Sequence, residues 1–126
     1  MSRDTFSSLK APAAIGPYSQ GIRSKSGLVF MSGQTPIDPA TGELVQGAIT
    51  EQTQQVFKNL AAVLEAGGKS FADVIKCNVY LADMADFAAM NAVYGSNFSE
   101  PFPVRTTVAV RELPKKCLVE IECIAE

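Results

Sequence analysis

Histidine is absent from the 126 residues. That removes Ser-His and Cys-His nucleophilic pairs, histidine-ligated metals and the histidine acid-base pair of many ribonucleases. Positive charge is sparse as well: 11 basic residues face 13 acidic ones, for a net charge of -2, and no basic run exceeds the pair Lys115-Lys116. Such a chain lacks the positive stripe that binds polyanions. The three cysteines, Cys77, Cys117 and Cys123, have no metal-type spacing and stand among Ile and Val at strand positions, so they read as buried free thiols of a reducing compartment. No G-x-x-x-x-G-K-[ST] phosphate loop, apolar leader or stretch of about 18 apolar residues occurs, and the expectation is a soluble cytoplasmic protein.

What is present is ordinary for a globular chain, 47% hydrophobic and 19% charged. Its length fits one domain over residues 1–126 that needs no staple. Residues 1–17, Ser/Pro/Ala-rich and ending in A-P-A-A-I-G-P, suit an extended or turning segment that delivers Tyr18 to a defined place. Strands are predicted at 18–24 and 28–34, joined at Gly27, and the second is apolar on both faces. The run P-I-D-P-A-T-G-E has the content of an exposed turn. Thr50 is the predicted cap of a helix with Val56, Phe57, Leu60, Val63 and Leu64 at helical spacing, stopping at Gly67-Gly68. A third strand over 73–81 would turn Ile75, Cys77, Val79 and Leu81 one way and Val74, Lys76, Asn78 and Tyr80 the other. Asp83 can cap a second helix with Phe87, Met90, Tyr94 and Phe98 as its buried stripe.

The last stretch, F-P-V-R-T-T-V-A-V-R-E-L-P-K-K-C-L-V-E-I-E-C-I-A, reads as two adjacent, antiparallel strands around a polar connection. If Thr106, Val108 and Val110 pack on the same core as Cys117, Val119, Ile121 and Cys123, then Arg105 and Glu120 emerge together on the other face. An arginine can hold a small carboxylate through two hydrogen bonds and a glutamate can deprotonate a water. A structural Arg-Glu pair at the sheet rim is the competing reading. The order β-β-α-β-α-β-β gives an α+β sheet with two helices on one face. The uncovered face would hold Val29 or Leu28, Val74, Tyr80, Leu118 and Ile124, and another subunit is its simplest cover. Gly33 in S-G-Q allows close approach of a ligand or backbone, or is a plain turn glycine. Asn91 in the second helix is a pocket residue or a structural hydrogen bonder.

Taken together, A-P-A-A-I-G-P-Y-S-Q-G, S-G-Q, D-x-x-D-F-x-x-x-N-x-x-Y, F-P-x-R and L-P-K followed by V-E-I-E resemble the Rid family, the reactive intermediate deaminases also called YjgF or L-PSP proteins. The resemblance covers nearly the whole chain. It implies a chorismate-mutase-like α+β fold, a homotrimer formed through the open sheet face, and pockets between subunits. For the RidA subgroup it implies hydrolysis of 2-iminobutanoate and 2-iminopropanoate to 2-keto acids and ammonia, without metal or cofactor. Arg105 would bind the substrate carboxylate and Glu120 position the attacking water. Tyr18, from the adjoining subunit, with Gly33, Asn91 and Thr107, would line the pocket. Thr107 departs from the cysteine that many RidA proteins carry there, so no thiol role transfers. Competing functions are an RNA-cleaving translation inhibitor and a non-catalytic ligand-binding or chaperone-like trimer.

Overall fold

The computed structural model describes residues 3–126. The strands are β1 (Asp4–Phe6), β2 (Gly21–Arg23), β3 (Val29–Met31), β4 (Ile37–Asp38), β5 (Glu43–Leu44), β6 (Val74–Leu81), β7 (Val104–Ala109) and β8 (Val119–Ala125), with helices α1 (Ile49–Ala66) and α2 (Phe87–Ser96). One sheet runs β1-β2-β3-β8-β6-β7, and β4 and β5 form a small hairpin of their own. Only β6 and β7 are parallel. Parallel neighbours need a crossover, and α2 supplies it.

The α1 apolar positions meet the sheet as their spacing predicts: Val56, Phe57, Leu60, Val63 and Leu64 are all buried. The predicted cap, Thr50, lies inside the helix, which begins two residues earlier than expected. Ala48 is its boundary residue, and the Ala48 N–H donates to the Glu51 carboxylate at 2.8 Å. Its end is where Gly67 and Gly68 predict, with Gly68 at φ 76°. Asp83 caps as expected, but through a short 3-10 turn, Met84–Asp86, that leads into α2; its carboxylate accepts from the Ala85 N–H at 2.9 Å.

Three expectations are corrected. The strands at the C-terminal end are not neighbours: β6 lies between β7 and β8. The connection between them must span about 10 Å, two strand spacings, and it folds into a 3-10 turn, Pro114–Lys116, with Leu113 buried beneath. Next, alternation in β6 slips at its start. A bulge between Val74 and Lys76 leaves Val74 6% exposed and Ile75 41% exposed, because an extra residue reverses the faces on one side of it. Finally, Val29, Val74 and Leu118 join the core, so the uncovered face is built from Phe30, Lys76, Asn78, Tyr80, Glu120, Glu122 and Ile124, which are cross-strand partners. The N-terminal segment also contributes a strand, β1, to the sheet edge.

Candidate functional site

Arg105 and Glu120 leave the sheet on opposite faces. In the ladder Arg105 is level with Cys77, whose side chain is fully buried under the helices, whereas Glu120 is level with Tyr80 on the uncovered face. Val104, 66% exposed, and Val108 therefore point away from the helices. The expectation that both candidate side chains share one face of the sheet is overturned. On an edge strand the apolar residues are not obliged to face the core, and a parallel register with β6 fixes which set does.

The Arg105 half is built on α2. Its NH1 donates to Asn91 Oδ1 at 2.6 Å, and the guanidinium carbon lies 4.6 Å from the Tyr94 ring centroid and 5.5 Å from that of Phe87. No carboxylate pairs with it: among the described residues the ion pair present is Arg23 with Asp4, at 3.4 Å. The structural Arg-Glu pair is thus not what this chain contains. Thr107 follows two residues along the same face, and its hydroxyl, like that of Tyr94, is buried without a hydrogen-bond partner. Burial and the neighbouring Cys77 thiol push the Tyr94 phenol far above its ordinary range.

The Glu120 half gathers Glu120, Gly33 and Tyr18 around a cavity of about 490 Å³, whose lining also includes Ser32, Lys115 and Ile37. Reciprocal backbone hydrogen bonds between Gln34 and Ile121, at 2.9 and 3.2 Å, pin the S-G-Q segment against β8. As a result, a Cβ on Gly33 would stand 2.2 Å from Glu120 Oε2. The glycine is there for the carboxylate. Burial, and secondarily the charge of Glu122, raise the Glu120 carboxyl above the usual carboxylate range. Tyr80 donates to Glu122, and that bond, with burial, raises the phenol to about 12.

Several supporting residues were not legible beforehand. Buried Gln20 ties down the N-terminal segment, accepting from the Ser8 N–H at 2.7 Å and donating to Pro12 O at 2.9 Å, which fixes the approach to Tyr18. Asn59, fully buried in α1, donates to Thr35 O and Ile37 O at 3.0 and 2.9 Å. Gln52 accepts from the Leu118 N–H at 2.8 Å, two residues before Glu120. For Gln52 and Asn59 the signal was a polar residue on the apolar stripe of a helix. The cysteines are buried free thiols as expected, with Cys77 and Cys123 sulfurs 3.3 Å apart.

The fold defines an α+β protein in which two helices cover one face of a mixed sheet and leave the other open. A family model described as endoribonuclease L-PSP matches residues 8–126. A RutC family protein of Pyrococcus horikoshii is 56% identical over 91% of this chain and 90% of its own. The 2-iminobutanoate/2-iminopropanoate deaminase of Mus musculus is 44% identical over 98% of this chain and 90% of its own. Among solved structures, RidA from a Psychrobacter species superimposes with a TM-score of 0.92 at 48% identity, covering 98% of both chains. The chain belongs to the Rid family, the reactive intermediate deaminases that also carry the L-PSP name.

Proposed function

We propose that this protein hydrolyses short 2-imino acids, 2-iminobutanoate and 2-iminopropanoate among them, to 2-keto acids and ammonia, in a site completed between copies of the chain in a homotrimer. The observation that carries this reading is the separation of the two charged groups. Among the described residues Arg105 has no carboxylate partner and Glu120 has no cation, and they stand on opposite faces of one sheet. A neighbouring copy laid on the open face would bring the Arg105 half of one subunit to the Glu120, Gly33 and Tyr18 half of the next. The name of the mouse relative, 2-iminobutanoate/2-iminopropanoate deaminase, supports the substrate class.

In that site Arg105 holds the substrate carboxylate by a bidentate pair. The protonated imine carbon is already electrophilic. Glu120 takes a proton from a water as its oxygen bonds to C2, giving a neutral tetrahedral carbinolamine; the proton then passes to the amine nitrogen, and as Glu120 takes the carbinolamine hydroxyl proton the C=O forms, the C–N bond breaks, and ammonia leaves and carries that proton away as ammonium. A carboxyl raised above its ordinary range is a better base for the first transfer. Thr107 offers a hydroxyl beside Arg105. The net charge of -2 and the missing histidine give the ribonuclease reading no support of its own.

The test is a coupled assay in which a threonine dehydratase generates 2-iminobutanoate in the presence of semicarbazide. Wild-type protein should accelerate 2-oxobutanoate release and Arg105→Ala should not. No acceleration by a folded trimer would overturn the reading for this substrate.

A further inference from the structure

Phe87, Asn91 and Tyr94 are spaced four and three residues apart on α2, so they share one face of the helix. All three meet the Arg105 guanidinium: Asn91 through a 2.6 Å hydrogen bond to NH1, Tyr94 and Phe87 through their ring faces at 4.6 and 5.5 Å. Tyr94 is itself held, with Phe57 and Phe98 centroids at 5.8 and 4.8 Å. Its hydroxyl is buried and makes no hydrogen bond to Arg105 among the described residues, so the ring is the part of Tyr94 that works on Arg105.

An arginine at the rim of an edge strand ordinarily samples many rotamers, and a carboxylate that binds it must freeze them. Here the freezing is done in advance. NH1 is engaged by Asn91, while Nε and NH2 have no hydrogen-bond partner among the described residues. Those two nitrogens form the side-on edge of the guanidinium, the edge that matches the two oxygens of a carboxylate.

We propose that the Phe87-Asn91-Tyr94 face of α2 is a positioning cradle that presents the Nε/NH2 edge of Arg105, so that Asn91 and Tyr94 set carboxylate affinity without touching the substrate. This rests on the reading of Arg105 as the carboxylate receptor. It changes the part given to Asn91: the residue acts on the arginine rather than on the substrate. It also separates carboxylate affinity from the chemical step, because the proton transfers belong to Glu120 on the other half.

The experiment measures binding of 2-oxobutanoate by calorimetry, alongside kcat and KM in the coupled assay, for Tyr94→Phe, Tyr94→Leu, Asn91→Ala, Asn91→Asp and Arg105→Ala. Tyr94→Phe keeps the ring and should match wild type. Tyr94→Leu and Asn91→Ala should each weaken 2-oxobutanoate and raise KM by about tenfold, with kcat within about twofold of wild type, as loss of a cation–π contact or a charge-assisted hydrogen bond dictates. Asn91→Asp should weaken it most, since an internal carboxylate then competes for the guanidinium. A residue that merely stabilised the fold would lower the melting temperature and leave KM alone.

Two failures are distinguishable. If Arg105→Ala loses 2-oxobutanoate while folded Tyr94→Leu and Asn91→Ala bind it as wild type does, the cradle is overturned and the receptor reading stands. If Arg105→Ala binds as wild type does, the receptor reading falls and the cradle with it. Should Tyr94→Leu fail to fold, the exposed Asn91 carries the test alone. A Tyr94→Phe variant as impaired as Tyr94→Leu would also overturn the cradle, because it would put the hydroxyl rather than the ring at work.

Discussion

Gly33 and Glu120 are in contact such that no side chain fits between them: a Cβ on the glycine would overlap Glu120 Oε2 at 2.2 Å. The glycine does not adopt a left-handed conformation, so space, not backbone freedom, is what it supplies. Gly33→Ala should therefore swing the Glu120 carboxylate out of place. We expect turnover to fall by about a hundredfold or more, on the scale of a misplaced acid-base group, with a melting temperature close to wild type because the clash is with the mobile end of a side chain. Turnover in the imine assay and thermal unfolding of the same preparation check both halves of this expectation; a clear fall in melting temperature with activity intact would count against it.

Glu120→Gln keeps shape and loses the base. Turnover should fall by about two to four orders of magnitude, while calorimetric binding of 2-oxobutanoate stays close to wild type. Substantial residual turnover would remove Glu120 from the chemical step.

The raised Glu120 carboxyl has a pH consequence of known sign. Its folded pKa lies above the unfolded value, so the folded state binds more protons between the two, and stability falls as pH rises through that window. Glu120→Gln should therefore be at least as stable as wild type at neutral pH and should lack this part of the pH dependence. Conversely, kcat/KM of the wild type needs the ionised carboxylate and should fall, as pH is lowered, at a pH above the usual glutamate range. Denaturant midpoints and rate profiles across the acid range measure the two.

Because Arg105 and Glu120 leave opposite faces of one chain, single variants should complement. Arg105→Ala and Glu120→Gln are each expected to be inactive, yet trimers reassembled from an equal mixture should recover about a quarter of the wild-type sites, since a site shared between two subunits is intact when each donates its good half. Mixing the two variants after denaturation and refolding them together is sufficient. No recovery in verified mixed trimers would place both residues of each site in the same subunit.

Asn59 joins α1 to the segment leading from Gly33 into β4 through two hydrogen bonds in a fully buried position. Asn59→Leu should leave the Thr35 and Ile37 carbonyls without these donors and cost about 2–4 kcal/mol, from an unmet-acceptor penalty of about 1–3 kcal/mol apiece and partial relaxation. Equilibrium urea unfolding reads this directly.

Much of the chain was settled by local pattern. The helical spacing from Val56 to Leu64, the stop at Gly67-Gly68, the cap at Asp83 and the buried face Val119-Ile121-Cys123 all follow from periodicities of 3.6 and 2 and from glycine and aspartate at the ends, which are properties of neighbouring residues. Motifs along the sequence also named Arg105, Glu120, Tyr18, Gly33 and Asn91, the residues around which the two halves are built. Tertiary structure decided what local pattern cannot carry. Alternation divides a strand into two faces without saying which is covered, and on β7 both sets contain β-branched residues, so only the parallel register with β6 turns Arg105 toward α2. Strand order is equally non-local: a connection from Val110 to Leu118 closes over an intervening strand at little extra entropic cost, since loop-closure entropy grows only slowly with length. The bulge at Val74 reverses one strand end for the same kind of reason, a match to β8 that β6 does not encode alone. Two charged residues that stand fifteen positions apart in one sequence are thus set on opposite faces of one sheet by the insertion of β6 between their strands.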